Sequence, residues 1–165
     1  MESCLDDEKA EARQNIIAWL KEAEEKAEDL WNKDQEQVRF YFKGNDERKA
    51  VGIIPEEVMS IFSGIDDYHL YADKSYLIDH YLNRHYDNRL FENIQSVLDN
   101  HTGIYFDNAQ NSIGFVKKND TLVDCLFVKP IENKLVLFAS TYKQPEKRLQ
   151  NKRYKKITPA KKQEQ

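Results

Sequence analysis

The sequence predicts an α+β protein in which N-terminal helices are followed by an antiparallel four-stranded β-meander. Three observations carry this prediction. Before Gly103, long segments have apolar residues at every third or fourth position, as amphipathic helices do. After Gly103 the apolar period changes to two, the period of strands. Only short turn clusters separate these later runs, which favours antiparallel hairpins with the helices on one face of the sheet.

The first helix is predicted from about Asp6 to Lys33, because this segment lacks Gly and Pro and is rich in Ala, Glu, Lys and Leu. Its apolar residues form one stripe that must pack against something: Ile16, Leu20, Ala23, Ala27, Leu30 and Trp31. Packing against the following domain is the favoured interpretation. A linker or an oligomerisation helix is the alternative.

Short elements separated by Gly and Pro occupy the segment that follows. The residue before Pro55 is pushed out of the helical region, whereas Pro55 itself suits the first turn of a helix. The predicted elements are a short strand or helix extension at 37–43, an extended run at 51–54, a helix at 55–62, a short strand at 68–72, and helices at 73–86 and 90–98.

The β runs come next, separated by clusters rich in Asn, Asp and Pro. They cover residues 103–107, 113–117, 122–129 and 135–142. After Tyr142 the chain is polar, basic and without periodicity, so we expect partial disorder there. The predicted organisation is a helical N-terminal extension packed on the core (residues 1–60), the core itself (61–143) and a basic, partly disordered tail (144–165).

The composition is that of one globular domain, since 40% of the 165 residues are hydrophobic and 12% are aromatic. No apolar run approaches the roughly 20 residues that span a bilayer, and the N-terminus is acidic where a signal peptide is basic. We therefore expect a soluble, cytoplasmic protein with no membrane partner. Cys4 and Cys125 offer neither a disulfide framework nor metal-ligand spacing.

The charge is distributed unevenly along the chain. Residues 143–165 contain nine Lys and Arg against two Glu, a local charge of +7. The whole chain has a formal charge of −4, so the other 142 residues carry −11. A basic end on an acidic body suggests attraction to a polyanion such as a nucleic acid, although basic tails also serve solubility alone.

The helix at 73–86 holds the best candidates for proton transfer. The chain lacks a P-loop, a dinucleotide-binding glycine motif, a nucleophile elbow and zinc-type cysteine pairs. His80 and His85 are separated by about 140° around the helix axis, so they do not form a chelating pair, and we expect neither a metal nor a cofactor. Histidine suits proton transfer near neutral pH. A structural, hydrogen-bonded role for each imidazole is the alternative.

A phosphate-binding cluster is predicted at the ends of the last two strands. Lys129 ends the third β run, and Ser140, Thr141, Tyr142 and Lys143 end the fourth. If strand ends of one polarity gather at one rim of the sheet, these hydroxyl and ammonium groups lie together. The alternative is that Thr and Tyr are present because they pack well in strands and Lys because it is common at strand edges.

Several segments, taken in order, resemble the phage-associated barnase/EndoU/colicin E5-D/RelE-like (BECR) nucleases. The matching segments are 61–65, 69–73, His80 with Arg84 and His85, 97–100, 127–129 and 140–142. From first to last they span residues 61–142, about half of the chain. Their order is more specific than any one of them, and the N-terminal third lies outside the resemblance.

The resemblance implies metal-independent cleavage of RNA by attack of the 2′-hydroxyl, which leaves a 2′,3′-cyclic phosphate. Such a reaction needs a base, an acid, and cations or donors for the developing charge. By resemblance, His85 is the first acid/base candidate and His80 the second. Lys129, Lys143 and Arg84 would bind phosphate, and Thr141 and Tyr142 would donate hydrogen bonds to it.

The resemblance also implies partners, namely RNA, with tRNA among the candidates, and an immunity protein or antitoxin. If the chain is part of a larger toxin, delivery into the cytoplasm of a target cell is the expected location. Two other hypotheses remain open: a catalytically inactive module that binds RNA or protein, and an interaction protein that works through the helix at 6–33. Cleavage of RNA in EDTA separates the first hypothesis from both others.

Overall fold

The computed structural model describes residues 2–29, 35–42, 47–83 and 88–157. The helices are α1 (Glu2–Asp29), α2 (Gln35–Phe42), α3 (Lys74–Asn83), α4 (Arg89–Glu92) and α5 (Ile94–Asp99), with 3₁₀-helices at Glu56–Ile61 and Glu146–Leu149. The strands are β1 (Arg48–Ile53), β2 (His69–Asp73), β3 (Gly103–Asp107), β4 (Ser112–Asn119), β5 (Leu122–Ile131), β6 (Lys134–Pro145) and β7 (Tyr154–Ile157).

All of these strands belong to one seven-stranded sheet with the order β1-β2-β6-β5-β4-β3-β7. Neighbouring strands are antiparallel except β2 and β6, which are parallel. The predicted α+β class is confirmed. A sheet consisting of a four-stranded antiparallel meander is wrong, because the sheet is mixed and has three further strands. The four predicted β runs are β3 to β6 and form its central antiparallel part.

Two of the further strands, β1 and β2, come from short extended runs whose partners the sequence does not reveal. They pair with each other in antiparallel fashion, from Arg48 opposite Asp73 to Ile53 opposite His69. On its other side β2 meets β6, where Leu70 is opposite Leu135. A pairing between residues so far apart in the chain leaves no local signal, because turn chemistry connects only consecutive strands.

The remaining strand, β7, lies inside the segment predicted as a basic, partly disordered tail. It pairs with β3 from Tyr154 opposite Asp107 to Ile157 opposite Ile104, while residues 158–165 lie outside the described residues. The sequence pattern does not indicate a strand here, because two of the four residues of β7 are lysines. The pairing with β3 therefore depends on tertiary structure.

Helix α1 covers the free edge of β1. The described residues of its predicted apolar stripe, from Ile16 to Ala27, are buried in the main core, and Trp19, which is 2% exposed, joins them. Leu30 and Trp31 of that stripe lie outside the described residues. The Asn15 side-chain amide donates to the carbonyl oxygen of Ala50 at 2.8 Å, and Trp19 Nε1 donates to Glu47 at 3.0 Å. A covered edge cannot pair with another chain. The described residues before position 60 thus share both the core and the sheet of the segment that follows.

The two faces of the sheet differ in their cover. Apolar side chains of the α-helices pack on the helix-covered face, whereas the smaller cluster on the other face contains none of them, and we call that one the helix-free face. On β5, Leu126 and Val128 join the main core with the helices, whereas Cys125 and Phe127 belong to a second, smaller cluster on the opposite side. Residues 146–153, which we call the crossing segment, run over this smaller cluster from the end of β6 to the start of β7 and bury Leu149 in it.

The helices of the middle segment depart from the prediction in detail. Residues 35–42 form a separate helix, α2, where a short strand or a helix extension was predicted. The predicted helix at 90–98 is divided at Asn93, whose φ of −102° and ψ of 8° interrupt it between α4 and α5. Helix α3 is described as far as Asn83, so Arg84 and His85 lie outside the described residues.

Candidate functional site

His80 of α3 lies on the helix-covered face of the sheet, and its side chain is half-buried. Its ring centroid is 5.6 Å from that of Phe91 in an edge-on contact and 5.8 Å from that of Tyr76. Tyr76 in turn forms a hydrogen bond with the hydroxyl group of Ser140 at 3.0 Å. Such packing agrees with the structural role considered for this histidine. Arg84 and His85, the other predicted site residues of this helix, are not among the described residues.

Lys129 and Thr141 lie on the opposite, helix-free face. The Lys129 ammonium nitrogen is 4.4 Å from the Phe138 ring centroid. Thr141 is paired with Cys125 and hydrogen-bonds its thiol, whose pKa burial raises to about 11. The sheet therefore separates both residues from His80, and the structure does not bring together these three of the four predicted catalytic side chains, of which His85 lies outside the described residues.

The predicted rim does not exist either, because β5 and β6 are antiparallel and their C-terminal ends point in opposite directions. Lys129 pairs with Val136 near the hairpin turn, whereas Thr141 pairs with Cys125 at the other end. Thr141 is five residues further along β6 than Val136, which amounts to roughly 17 Å of strand. The two residues cannot hold the same phosphate.

Tyr142 and Lys143 complete the predicted set. Tyr142 packs against the main core on the helix-covered face, where the guanidinium of Arg89 lies 5.3 Å from its ring centroid. Lys143 is exposed and adopts a φ of 52°, and its backbone N–H donates to Asp124 at 2.9 Å. Tyr142 thus shares a face with His80, and Lys143 lies at an irregularity in the β5–β6 register, beyond which Gln144 still pairs with Val123.

A different histidine has the geometry of a general base. Asp67 Oδ1 is 2.8 Å from His69 Nδ1 and also accepts the His69 backbone N–H at 3.0 Å. The Tyr71 hydroxyl donates to the other carboxylate oxygen at 2.7 Å. A carboxylate at Nδ1 favours the tautomer with its proton on that nitrogen, so Nε2 is the atom that can accept one. We call this the Asp67–His69–Tyr71 cluster.

The charge state of the cluster follows from its hydrogen bonds. Partial burial raises the pKa of Asp67, but the hydrogen bonds from Tyr71 and His69 outweigh burial and leave the pKa below its ordinary value of 3.8. Partial burial, together with the neighbouring Asp67 carboxylate, raises the pKa of Tyr71 to about 12. Near neutral pH Asp67 is therefore an anion that orients the imidazole, and Tyr71 is a neutral donor.

Two lysines lie on the same face as this cluster. The Lys134 ammonium nitrogen is 4.9 Å from the Tyr71 ring centroid. Tyr71 is in register with Val136, which is in register with Lys129. Three residues in one row of adjacent strands span about 10 Å. Lys129, one of the predicted site residues, is therefore close to the cluster although it is far from Thr141.

Between α1 and the β1–β2 pair, a cleft of about 410 Å³ opens onto the cluster. Its polar lining consists of Glu8, Glu11 and Asn15 from α1 together with Lys49, His69 and Tyr71. Glu8 Oε1 lies 3.4 Å from His69 Nε2, and the Tyr68 hydroxyl donates to Glu8 at 2.9 Å. A carboxylate thus faces the nitrogen that would act as the base.

The sequence contains a signal for this cluster that the prediction overlooked. Asp67, His69 and Tyr71 occupy every second position, and Leu70 and Ala72, on either side of Tyr71, point into the core. A period of two places all three polar side chains on the same face of a strand. Because Asp67 precedes β2, only the structure shows that the alternation continues beyond the strand.

Within the described part of the chain, no group of three or more His, Cys, Asp or Glu side chains is arranged to hold a metal ion. None of the described helices is both long and apolar enough to cross a membrane.

The groups of the site are a base oriented by a carboxylate, two ammonium groups and a phenolic donor. Together they are suited to metal-independent chemistry at a phosphate. No family model, no curated protein and no solved structure matches the chain.

Proposed function

We propose that this protein is a metal-independent endoribonuclease whose catalytic centre is the Asp67–His69–Tyr71 cluster. The observation that carries the proposal is the 2.8 Å contact between Asp67 and His69 Nδ1, on the face that also holds Lys129 and Lys134. Cleavage by the 2′-hydroxyl needs no bound cofactor, only a base, an acid and a cationic surround for the phosphate. This is the reaction that the resemblance to BECR nucleases implies.

Each group has a definite role in this proposal. His69 Nε2 takes the proton of the 2′-hydroxyl, which attacks the adjacent phosphorus and forms the 2′,3′-cyclic phosphate. Asp67 holds the imidazole in the required orientation. Lys129 neutralises the phosphate charge, and the Lys134 ammonium group gives a proton to the departing 5′-oxygen, so that a 5′-hydroxyl end results. Glu8 has to move away from Nε2 before RNA can bind, because its carboxylate repels phosphate.

The test is cleavage of a labelled single-stranded RNA in the presence of EDTA, with the products analysed for 2′,3′-cyclic phosphate ends. We expect His69→Gln to lower the rate by at least about 100-fold, the usual contribution of a general base. His80→Gln serves as the matched control and should retain activity, since His80 lies across the sheet. Thermal unfolding of each variant shows whether it is still folded.

Two results would overturn the proposal. Intact RNA after incubation of the wild-type protein with varied substrates would rule out the nuclease. Loss of cleavage in His80→Gln or His85→Ala, with His69→Gln still active, would move the centre to the other face and to the residues that the resemblance favours. An active enzyme would act on RNA in a cytoplasm, and by resemblance alone an immunity protein or antitoxin would restrain it.

A catalytically inactive module that binds RNA or protein is the second candidate function. The contact between Glu8 and His69 Nε2 at 3.4 Å favours it, because a fixed carboxylate there would occupy the base and exclude phosphate. Glu8→Gln distinguishes the two functions. RNA cleavage that rises in Glu8→Gln supports the enzyme, whereas tight RNA binding without products in both proteins supports the module.

A further inference from the structure

The part of the chain that follows Tyr142 is rich in exposed cations, and we call residues 143–156 the cationic path. Between residues 143 and 156 there are seven Lys and Arg and one acid, Glu146, a local charge of +6. Since the whole chain has a charge of −4, all other residues together carry −10. The seven side chains are all exposed: Lys143, Lys147, Arg148, Lys152, Arg153, Lys155 and Lys156.

The cationic path is held in place by contacts along its length. At its start the Glu146 N–H donates to the carbonyl oxygen of Thr121 at 3.0 Å. In its middle Leu149 is only 7% exposed and is anchored in the second cluster. At its end the Asn108 N–H donates to the carbonyl oxygen of Arg153 at 2.8 Å, and β7 is paired with β3. The cations are therefore presented from a fixed backbone.

Most of these cations have no acidic partner among the described residues. Arg153 pairs with Asp107 at 2.7 Å, and Glu146 pairs outside the path, with Lys118 at 3.0 Å. The described residues provide no ion pair for the other side chains of the crossing segment and β7, namely Lys147, Arg148, Lys152, Lys155 and Lys156. Cations gathered without counter-charges repel one another, and a polyanion relieves that repulsion.

Aromatic rings accompany the cations on the helix-free face. Tyr154 lies 6.0 Å from Phe127 between ring centroids, and the Arg153 guanidinium is 5.3 Å from the Tyr154 ring. Tyr154 is half-buried, so part of its surface faces solvent. Aromatic side chains next to cations are the surface on which unpaired bases stack while the backbone binds the charges.

We propose that the cationic path binds the phosphate backbone of single-stranded RNA and leads it across the helix-free face, on which the Asp67–His69–Tyr71 cluster also lies. The choice of RNA rests on the proposed function. The course of the path over the surface favours a flexible ligand, which can follow it from one face to the edge of the sheet. It begins at the end of β6, crosses one face and ends on an edge strand where Lys155 and Lys156 point to opposite sides of the sheet. A planar membrane surface could not contact all of these groups.

The test uses the full chain and a fluorescent single-stranded RNA with 2′-O-methyl groups, which cannot be cleaved by its own 2′-oxygen. Binding is measured at several salt concentrations for the wild type and for Lys147→Gln/Lys152→Gln/Lys155→Gln. Each phosphate contact contributes roughly 0.7 to the slope of log K against log salt for single strands. We expect the slope of the triple variant to be smaller by about 2.

A matched control removes three cations from α1 in Arg13→Gln/Lys21→Gln/Lys26→Gln and should leave the slope as in the wild type. Equal slopes for the wild type and the variant of the path, or an equal loss in the control, would overturn the proposal. So would binding to phosphatidylserine vesicles that depends on the path while RNA binding stays unaltered. Circular dichroism establishes that both triple variants are folded.

Failure of the cationic path and failure of the proposed nuclease give different results. If the wild type cleaves ordinary RNA but the slope is the same in the variant of the path, the path is refuted and the nuclease stands. If no RNA is cleaved but the slope falls as expected, RNA binding stands and the catalytic proposal fails. With an active enzyme, the variant should raise KM for long RNA and leave kcat/KM for a dinucleotide unchanged.

Discussion

Asp107 and Arg153 show how a single ion pair fixes the start of β7. The Asp107 side chain is 3% exposed and accepts hydrogen bonds from Arg153 Nε at 2.7 Å and Nη2 at 2.9 Å. Burial raises the pKa of this carboxyl, but the hydrogen bonds from Arg153 and from the backbone of Ala109 and Gln110 outweigh burial and leave it below 3.8. A carboxylate this well bonded stabilises the folded state only while it is ionised.

Arg153→Gln should therefore destabilise the protein in a pH-dependent way. Near pH 7 we expect a loss of about 1–2 kcal/mol in the free energy of unfolding, since water screens an arginine that is 44% exposed. Because the folded-state pKa of Asp107 is depressed, its contribution is present above the unfolded pKa and disappears as the pH falls through the folded value.

Urea unfolding at a series of pH values measures this effect. The difference in stability between the wild type and Arg153→Gln should shrink below about pH 4, where the carboxyl begins to be protonated in the unfolded chain. Arg148→Gln is the control, an exposed cation of the same segment. A difference that stays constant down to about pH 3 would show that the ion pair does not stabilise the fold.

Among the elements, the central strands depend on one close approach between β4 and β5. Gly114 is opposite Phe127 in the register, and a Cβ atom at Gly114 would lie 2.6 Å from Phe127 Cε1 and 2.9 Å from Cδ1. The Phe127 ring therefore lies directly over the glycine, which leaves space for it on the helix-free face. A methyl group at this position has to displace a ring that packs with Tyr154.

Gly114→Ala should lower the free energy of unfolding by about 1–3 kcal/mol, the usual cost of overpacking. Chemical denaturation of Gly114→Ala, Phe127→Leu and the double variant forms a cycle that isolates the clash. In the double variant the alanine should cost clearly less, because the smaller leucine can move aside. Additive losses would indicate that the ring is not what the methyl group meets.

The elements also show what the sequence could and could not reveal. The strands β3 to β6 were predicted within a few residues, because long alternating runs between turn clusters specify antiparallel neighbours. β7 was missed since Lys155 and Lys156 give it the composition of a solvated tail. Placing Lys129 and Thr141 at one rim did not follow from the predicted antiparallel meander, in which consecutive strands end at opposite rims. The Asp67–His69–Tyr71 cluster was overlooked, because Asp67 precedes β2 and the pattern did not connect it with the strand.

At the scale of the whole molecule, one core joins the N-terminal third to the rest. The main core includes Trp19 of α1, Val38 of α2 and Val51 of β1 together with side chains of the three later helices and of β5 and β6. Such shared burial favours unfolding in one step, because no part can leave without exposing the apolar surface of another. An appended helix on a separate core would melt independently.

Trp19 makes this cooperativity measurable. The chain has two tryptophans, Trp19 and Trp31, so in Trp31→Phe the fluorescence reports on α1 alone. We expect the fluorescence transition in urea to coincide with the loss of far-ultraviolet circular dichroism from the whole molecule. A fluorescence change at clearly lower urea would mean that α1 detaches first and that the N-terminal third is a separable unit.

The parallel pairing of β2 with β6 has a kinetic consequence. Leu70 pairs with Leu135, and three of the described helices and three strands lie between them in the chain. The strands β3 to β6, by contrast, are connected by short turns. Pairing strands that are distant in sequence requires closing a long loop, and this costs conformational entropy. We therefore expect the meander to form first and β2 to dock last. The neighbourhood of His69 and Lys129 would then assemble in the final folding step, so the proposed catalytic centre would be the last part of the molecule to form.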